Sequence, residues 1–176
     1  MAIHEKWFTS DHHFFHTNIL KFVDDQGHRI RHPFQSLEEM HEYMIERWNS
    51  VVKDNDYVYH LGDVTFQYHG PFNNLMSRLK GKKRLIVGNQ IWNPNLMRWF
   101  EKADLWKGFK EGNFTCTHMP HRLESLRDGA FNVHGHTHQN MMEDLRYINV
   151  SVEVRDYTPV HYDQILKEIK DAERRL

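Results

Sequence analysis

The stretch Trp7-Phe8-Thr9-Ser10-Asp11-His12-His13 joins an apolar run to a polar turn. The run, from about Glu5 to Thr9, has aromatic and β-branched residues that are typical of a strand. Asp11 and His13 carry side chains that bind metals, and they follow this strand directly. An Asp-x-His turn alone is weak evidence, because Asp11 could instead cap a helix that begins near His16.

Four other segments repeat this arrangement, in which an apolar run stops at a small or polar turn. They are Gly62-Asp63, Gly88-Asn89, Thr117-His118 and Gly135-His136-Thr137-His138. In α/β sheets, functional groups collect at the carboxyl ends of the strands. Five strands that deliver such side chains to one edge would therefore build a single pocket.

The residue types indicate divalent metals. Neutral imidazoles together with carboxylates suit Mn, Fe, Co, Ni or Zn. A carboxylate with two free oxygens can bridge two ions, and two ions about 3.5–4 Å apart can clamp a phosphate. Gly62, Gly88 and Gly135 would let the backbone turn sharply and approach the ions closely.

Strands and helices alternate in the first half of the chain, which predicts an α/β, layered α-β domain. Ser36 is expected to cap a helix that runs to about Val52, with Glu39 three residues later. Strands are predicted next at 57–61 and 84–87. Helices are predicted at 73–79 and from Pro94 to about Lys102.

The second half is richer in predicted strands. Candidate strands cover 105–110, 114–117, 130–133 and 147–154. Pro159 is expected to start a last helix over about 160–174. The tryptophans, Trp106 included, fall mostly in predicted elements and are expected in the core.

Length and composition favour one domain, 1–176, with an ordinary soluble composition. The net charge of -1 does not mark a general nucleic-acid binder, although a local basic patch is compatible with it. Cys116 is the single cysteine, so no internal disulfide is expected. No signal peptide or membrane span is apparent, and the expected location is the cytoplasm.

The ordered motifs Asp-x-His, Gly-Asp, Gly-Asn, His and Gly-His-x-His resemble the calcineurin-like metallophosphoesterase superfamily. The resemblance extends from Asp11 to His138, and five ordered motifs rarely coincide by chance. The segments 8–16, 59–63 and 156–160 look like a small single-domain phage or bacterial branch. The resemblance implies a two-sheet β-sandwich flanked by helices.

The resemblance also implies a ligand set and a reaction. Seven residues of the five segments would hold two ions: Asp11, His13 and His138 the first, Asn89, His118 and His136 the second, with Asp63 between them. A bridging water or hydroxide would attack phosphorus in line, and the metals would neutralise the charge on the phosphoryl oxygens. Manganese is the first expectation, with Fe, Zn, Ni or Co as alternatives.

The third motif departs from the family pattern. The family has Gly-Asn-His, whereas this chain has Gln90 after Asn89. The histidine commonly serves the leaving group, and a glutamine amide cannot deliver a proton at neutral pH. Asn89 and Gln90 remain catalytic candidates. Histidines of nearby loops could take over the role: His12, His16, His69 and His121.

Substrate contacts are predicted from two loops. Arg29 and Arg31 lie in a basic loop and could contact phosphate, although a solvated loop is an equal alternative. His121 follows the fourth ligand segment and is the third candidate contact.

The expected function is therefore metal-dependent hydrolysis of a phosphoester, with a phosphodiester or nucleotide favoured. Branches of the family that lack the third-motif histidine are often diesterases. The alternatives are a phosphomonoesterase or protein phosphatase, and a catalytically impaired metal-binding module. Nucleic acid is a possible partner that the overall charge does not indicate.

Overall fold

The structure, a computed structural model, describes residues 4–89 and 93–176. A five-stranded sheet has the order β4-β3-β2-β1-β9. Its strands β1 to β4 are parallel, and β9 is antiparallel to β1. The bounds are β1 Lys6–Thr9, β2 Tyr57–His60, β3 Lys82–Ile86, β4 Lys102–Asp104 and β9 Val160–His161.

A second sheet of four strands has the order β5-β6-β7-β8. Strands β6, β7 and β8 are parallel, and β5 is antiparallel to β6. The bounds are β5 Lys107–Phe109, β6 Phe114–Cys116, β7 Phe131–His134 and β8 Tyr147–Asn149.

Four α-helices lie within the described residues: α1 Leu37–Val51, α2 Pro71–Arg78, α3 Pro94–Met97 and α4 Tyr162–Glu173. The predicted N-cap of α1 is confirmed, since the Ser36 hydroxyl accepts a hydrogen bond from the Glu39 amide. The Glu39 side chain accepts from the amide of Gln35 instead of Ser36. None of the helices in 4–89 and 93–176 is both long and apolar enough to span a membrane.

The first sheet lies between two apolar clusters, because successive side chains of a strand point to opposite faces. Val58 packs with Met44 and Trp48 of α1 on one face. Phe8 and Tyr59 pack on the other face with side chains of the second sheet. The predicted α/β class is thus confirmed as a layered arrangement of helices, sheet and sheet.

Two predicted elements near the middle of the chain are wrong in extent. Helix α3 ends at Met97 instead of continuing to about Lys102. Beyond it the Glu101 amide donates to the Lys83 carbonyl, because the chain has joined the edge of the first sheet as β4. The predicted strand 105–110 is shorter in the structure, because only β5 forms within it and Leu105 and Trp106 connect β5 to β4.

Two predicted elements near the carboxyl end also differ. The strand predicted to reach Val154 ends at Asn149, whose side chain accepts from the Ser151 amide and turns the chain into a short 3-10 helix at Val152–Val154. Pro159 precedes strand β9, and α4 begins only at Tyr162, with His161 as its N-cap. Pairing with β1 accounts for this delay.

Candidate metal centre

Two clusters of ligand-type atoms lie at the carboxyl ends of the strands. The first metal group is Asp11, His13 and His138, and one atom from each lies within 4.8 Å of the others. Asp11 and His13 follow β1, and His138 follows β7. The structure thus brings together the three residues that were predicted for the first ion.

The second metal group is Asp63, His118 and His136, again with ligand atoms within 4.8 Å of one another. These residues follow β2, β6 and β7. Asn89 adjoins the group, since its Oδ1 lies 2.7 Å from His118 Nε2. The predicted partners of the second ion are therefore also neighbours.

Asp63 lies between the two groups. Its Oδ2 is 3.7 Å from His13 Nε2, and its Oδ1 is 3.5 Å from His118 Nε2. Ligand atoms that each sit about 2.0–2.2 Å from one ion are roughly 3–4 Å apart. The Asp63 carboxylate is thus spaced to serve an ion on either side.

The Asp11 carboxylate fits a cation. Its Oδ2 accepts hydrogen bonds from the His136 amide at 2.8 Å and the Ser151 hydroxyl at 2.9 Å. Its Oδ1 is buried, has no hydrogen-bond partner among the described residues, and lies 3.9 Å from His13 Nε2. A buried oxygen without a donor is costly, so this atom needs a positive partner such as a metal ion.

His118 is oriented as a metal ligand. Its Nδ1 lies 2.6 Å from the Leu61 carbonyl, which can only accept, so Nδ1 carries the proton of the neutral ring. The Nε2 lone pair then faces acceptor-type atoms of Asp63 and Asn89. Fixing the distant ring nitrogen on a carbonyl is the arrangement that metal-binding histidines use.

His138 is oriented by a buried carboxylate. Its Nδ1 donates to Glu153 Oε1 at 2.8 Å, which leaves Nε2 for a metal. Glu153 in turn accepts from the buried Arg31 at 2.8 and 3.0 Å. Burial opposes ionisation of Glu153, but Arg31 and His138 outweigh it and lower its pKa to about 2. The carboxylate therefore stays charged.

The pKa values of two of the predicted ligand histidines, His13 and His136, fit neutral donors. Burial, reinforced by Arg31, lowers the pKa of His13 to about 2. Burial and then the neighbouring His118 lower the pKa of His136. For His138, burial acts downward, but the hydrogen bond to Glu153 and its charge raise the pKa overall. Among these three histidines, protons therefore compete with a metal mainly at His138.

Backbone strain is concentrated at the ligands. The φ angles are positive at five of the seven predicted ligands: Asp11 at 61°, His13 at 50°, Asp63 at 53°, His136 at 69° and His138 at 51°. Such conformations cost on the order of 1–3 kcal/mol each and cluster at functional sites. The strain is therefore an independent sign that these turns serve a site.

Three glycines permit the close packing that the sequence predicted for them. A Cβ on Gly88 would lie 2.4 Å from Asp63 Oδ1, and one on Gly62 would lie 2.5 Å from His118 Nδ1. A Cβ on Gly135 would lie 2.0 Å from Ser10 Oγ and 2.5 Å from Asp11 Oδ2. A larger residue at any of the three would displace a ligand or its support.

Two predicted contacts are wrong because the side chains are buried. His12 is fully buried, and its Nδ1 lies 2.9 Å from Nε2 of His60, so it backs the site and cannot reach a leaving group. Arg31 is also fully buried and binds Glu153 and the carbonyl of His12. It supports the ligands instead of contacting substrate.

Arg29 is partly exposed, and its guanidinium donates to the carbonyl oxygens of Phe34 and His32. It holds its own loop, and a substrate contact for it stays a prediction. The catalytic candidate Gln90 lies outside the described residues. His69 is exposed and lies 3.4 Å from the Asn95 side chain.

An aromatic ledge, defined as Phe22, His16 and Phe66, adjoins the first metal group. The Phe66 and His16 rings are stacked with centroids 3.9 Å apart, and Phe22 meets His16 edge-on at 5.3 Å. Phe66 also stacks on His13 at 5.6 Å. Phe66 is 50% exposed and Phe22 is 43% exposed, so the ledge offers flat apolar surface beside a predicted ligand.

Cavities flank the two groups. One of about 630 Å³ is lined by His136 and His138 together with the loop that carries Asp24 and Asp25. Another of about 560 Å³ is lined by His118, Gly88 and the predicted substrate residue His121. The His121 side chain is exposed, as a substrate contact requires.

Sequence reasoning missed Ser151 and Glu153, which position Asp11 and His138. Both lie in the segment 147–154, for which the sequence predicts a strand. A signal was present, because Ser151 and Glu153 place polar side chains two apart beside the apolar Val150 and Val152. One face of that segment was therefore polar.

The comparisons identify relatives across almost the whole chain. The uncharacterized protein MJ1445 of Methanocaldococcus jannaschii is 33% identical over 97% of this chain and 94% of its own length. The chain belongs to the family of this archaeal protein. No family model matches the chain.

Two further likenesses extend this family. The Gene 66 protein of Mycobacterium phage L5 is 29% identical over 77% of this chain and 78% of its own length. The crystal structure of the protein of unknown function AQ665 from Aquifex aeolicus superposes with a TM-score of 0.71. It is 24% identical and covers 94% of this chain and 99% of its own, which shows a shared fold.

Proposed function

We propose that the chain is a two-metal phosphoesterase of the calcineurin-like type that hydrolyses a phosphodiester or nucleotide. The observation that carries the proposal is Asp63, whose two oxygens face His13 on one side and His118 on the other. The order of the motifs and the two packed sheets support the calcineurin-like assignment. The imidazole and carboxylate ligands suit manganese, with Fe, Zn, Ni or Co as alternatives.

Two ions would supply charge neutralisation at the phosphoryl oxygens and a nucleophile from water at neutral pH. Hydrogen bonds within the protein orient the side chains that would hold these ions. The Leu61 carbonyl and the Glu153 carboxylate orient His118 and His138. The Ser151 hydroxyl and the His136 amide fix Oδ2 of Asp11, so that Oδ1 is the oxygen left for a cation.

The aromatic ledge supports a substrate that carries a flat ring. A base placed on Phe66 or Phe22 would lie next to His13, while its phosphate reaches the metal groups. The His16 ring is partly exposed, although its Nδ1 atom is buried and makes no hydrogen bond within the described residues. Within the aromatic ledge, His16 is the residue that could contact the leaving group.

The test is hydrolysis by the manganese-loaded protein of bis(p-nitrophenyl) phosphate and of p-nitrophenyl phosphate. We expect turnover of the diester. We expect His118→Gln to abolish it and the exposed His32→Gln to leave it unchanged. Turnover of the monoester alone would support a phosphomonoesterase instead. A protein that binds two metals and hydrolyses neither compound would be a metal-binding module, contrary to the proposal.

A further inference from the structure

Leu105 and Trp106 are adjacent, apolar and exposed, at 76% and 60%. They connect β4, an edge strand of the first sheet, to β5, an edge strand of the second. The prediction that Trp106 lies in the core is wrong, because these two residues pass between the sheets at the surface. Exposed apolar side chains that adjoin one another beside a cavity are typical of an interaction site.

A groove leads from these residues to the second metal group. The cavity of about 560 Å³ that is lined by His118 also has Leu105 in its wall. Leu105 and Trp106 both line the adjoining cavity of about 490 Å³. Leu105 lines both cavities, and we call them together the Trp106 groove. A ligand in it can touch Trp106 and reach His118.

The Trp106 groove is lined by more cations than anions, although the chain as a whole has a net charge of -1. Its charged lining residues, apart from histidine, are Lys102, Lys107, Lys110, Arg122 and Asp104. Asp104 pairs with Lys102 at 3.0 Å. No carboxylate within 4–89 and 93–176 forms an ion pair with Lys107, Lys110 or Arg122. Three cations are therefore available to a negatively charged ligand.

We propose that the Trp106 groove binds a single-stranded oligonucleotide, one of whose phosphodiesters lies at the metal groups. Surfaces that bind single strands combine cations for the phosphates with an aromatic ring on which a base stacks. Trp106 supplies the ring, and Lys107 and Lys110 supply the cations beside it. The inference rests on the proposed function for the cleavage of this ligand, and on the groove alone for its binding.

The test measures binding of a fluorescein-labelled oligothymidylate of about ten nucleotides by fluorescence anisotropy, with EDTA present to prevent cleavage. We expect Trp106→Ala to weaken binding by about tenfold, as the loss of one stacked base does. Trp106→Phe should retain most of the affinity because it keeps a ring. A purely structural role would not produce this rescue.

A charge variant tests the cations independently. Lys107→Glu with Lys110→Glu should weaken binding and reduce the slope of log affinity against log salt by about 1.4, or about 0.7 for each lost contact. The matched control is Lys80→Glu with Lys170→Glu, which reverses two exposed lysines outside the groove. Equal losses in both double variants would overturn the proposal.

Other occupants give distinct results. Concentration-dependent self-association that Trp106→Ala abolishes would identify a second copy of the chain and overturn the proposal. Binding to phosphatidylserine vesicles without binding to the oligonucleotide would overturn it in favour of a membrane surface. Hydrolysis of the small diester with no oligonucleotide binding would leave the proposed function standing and overturn the groove alone. Oligonucleotide binding without hydrolysis of the small diester would support the groove and overturn the proposed function.

Discussion

Glu153 supports the first metal group without belonging to it. Its carboxylate joins the buried guanidinium of Arg31 to the imidazole of His138. Removing its charge would release the ring of His138 and leave Arg31 buried without a counter-ion. One substitution should therefore affect both metal affinity and stability.

We expect Glu153→Gln to weaken metal binding by about 10–100-fold and to lower the free energy of unfolding by about 3–5 kcal/mol. Metal titration and urea denaturation measure the two effects. Glu168→Gln is the control, because Glu168 pairs with Arg155 nearer the surface, and it should cost only about 1 kcal/mol or less. Unchanged metal affinity in Glu153→Gln would contradict the positioning role.

Gln90 is the residue at which the sequence departs from the calcineurin-like pattern that it resembles. Gln90→His should restore a proton donor and raise turnover by up to about 10²–10⁴-fold for diesters with poor leaving groups. The gain should be small for p-nitrophenyl esters, which leave without protonation. Equal rates for the variant and the natural chain on both kinds of substrate would show that no acid is needed at this position.

The turns between strand and loop are the elements that place the proposed ligands. Gly88 ends the run after β3 and lies against the carboxylate of Asp63. Its own φ angle is not in the left-handed region, so the lack of a side chain is what the position requires. A methyl group there would meet Oδ1 of Asp63.

We expect Gly88→Ala to displace Asp63 and to reduce the bound metal measured by elemental analysis, while the circular dichroism of the sheets is retained. Gly108→Ala is the control, because the nearest atom to a Cβ there is 3.8 Å away. A Gly88→Ala protein with its full metal content would mean that the turn tolerates a side chain.

The strands that end in ligands were the part of the fold that could be predicted from sequence. In each of the five segments, an apolar run followed by a polar turn predicts where the strand ends. The polar side chains of Ser151 and Glu153 are visible in the sequence, but their contacts with the site could not be predicted, because they depend on a turn set by the Asn149 side chain. Likewise α3 is short because pairing with β3 takes up the residues beyond it.

At the scale of the whole molecule, the site joins two sheets that otherwise meet through apolar side chains. Asp11 and Asp63 come from the first sheet, and His118, His136 and His138 come from the second. Ions held between them would tie the two sheets together. Metal binding should therefore stabilise the entire domain against unfolding.

We expect manganese at about 100 times its Kd to add about 2.7 kcal/mol to the free energy of unfolding for each ion bound. For a chain of this size that corresponds to a rise in Tm of about 5–10 °C by calorimetry. Calcium is the control ion, and it should give a smaller rise because it prefers sites made of oxygen ligands alone. A larger rise with calcium than with manganese would contradict the assigned ligand set.

Asp63 lies between the two metal groups, and elemental analysis of Asp63→Asn measures whether both ions depend on it. We predict about two metal ions per chain in the natural protein, in keeping with a two-metal site. We predict loss from both groups in Asp63→Asn, and full retention in Asp144→Asn, whose carboxylate pairs with Arg146 outside the site. Two ions per chain in Asp63→Asn would show that Asp63 does not bridge the two metal groups.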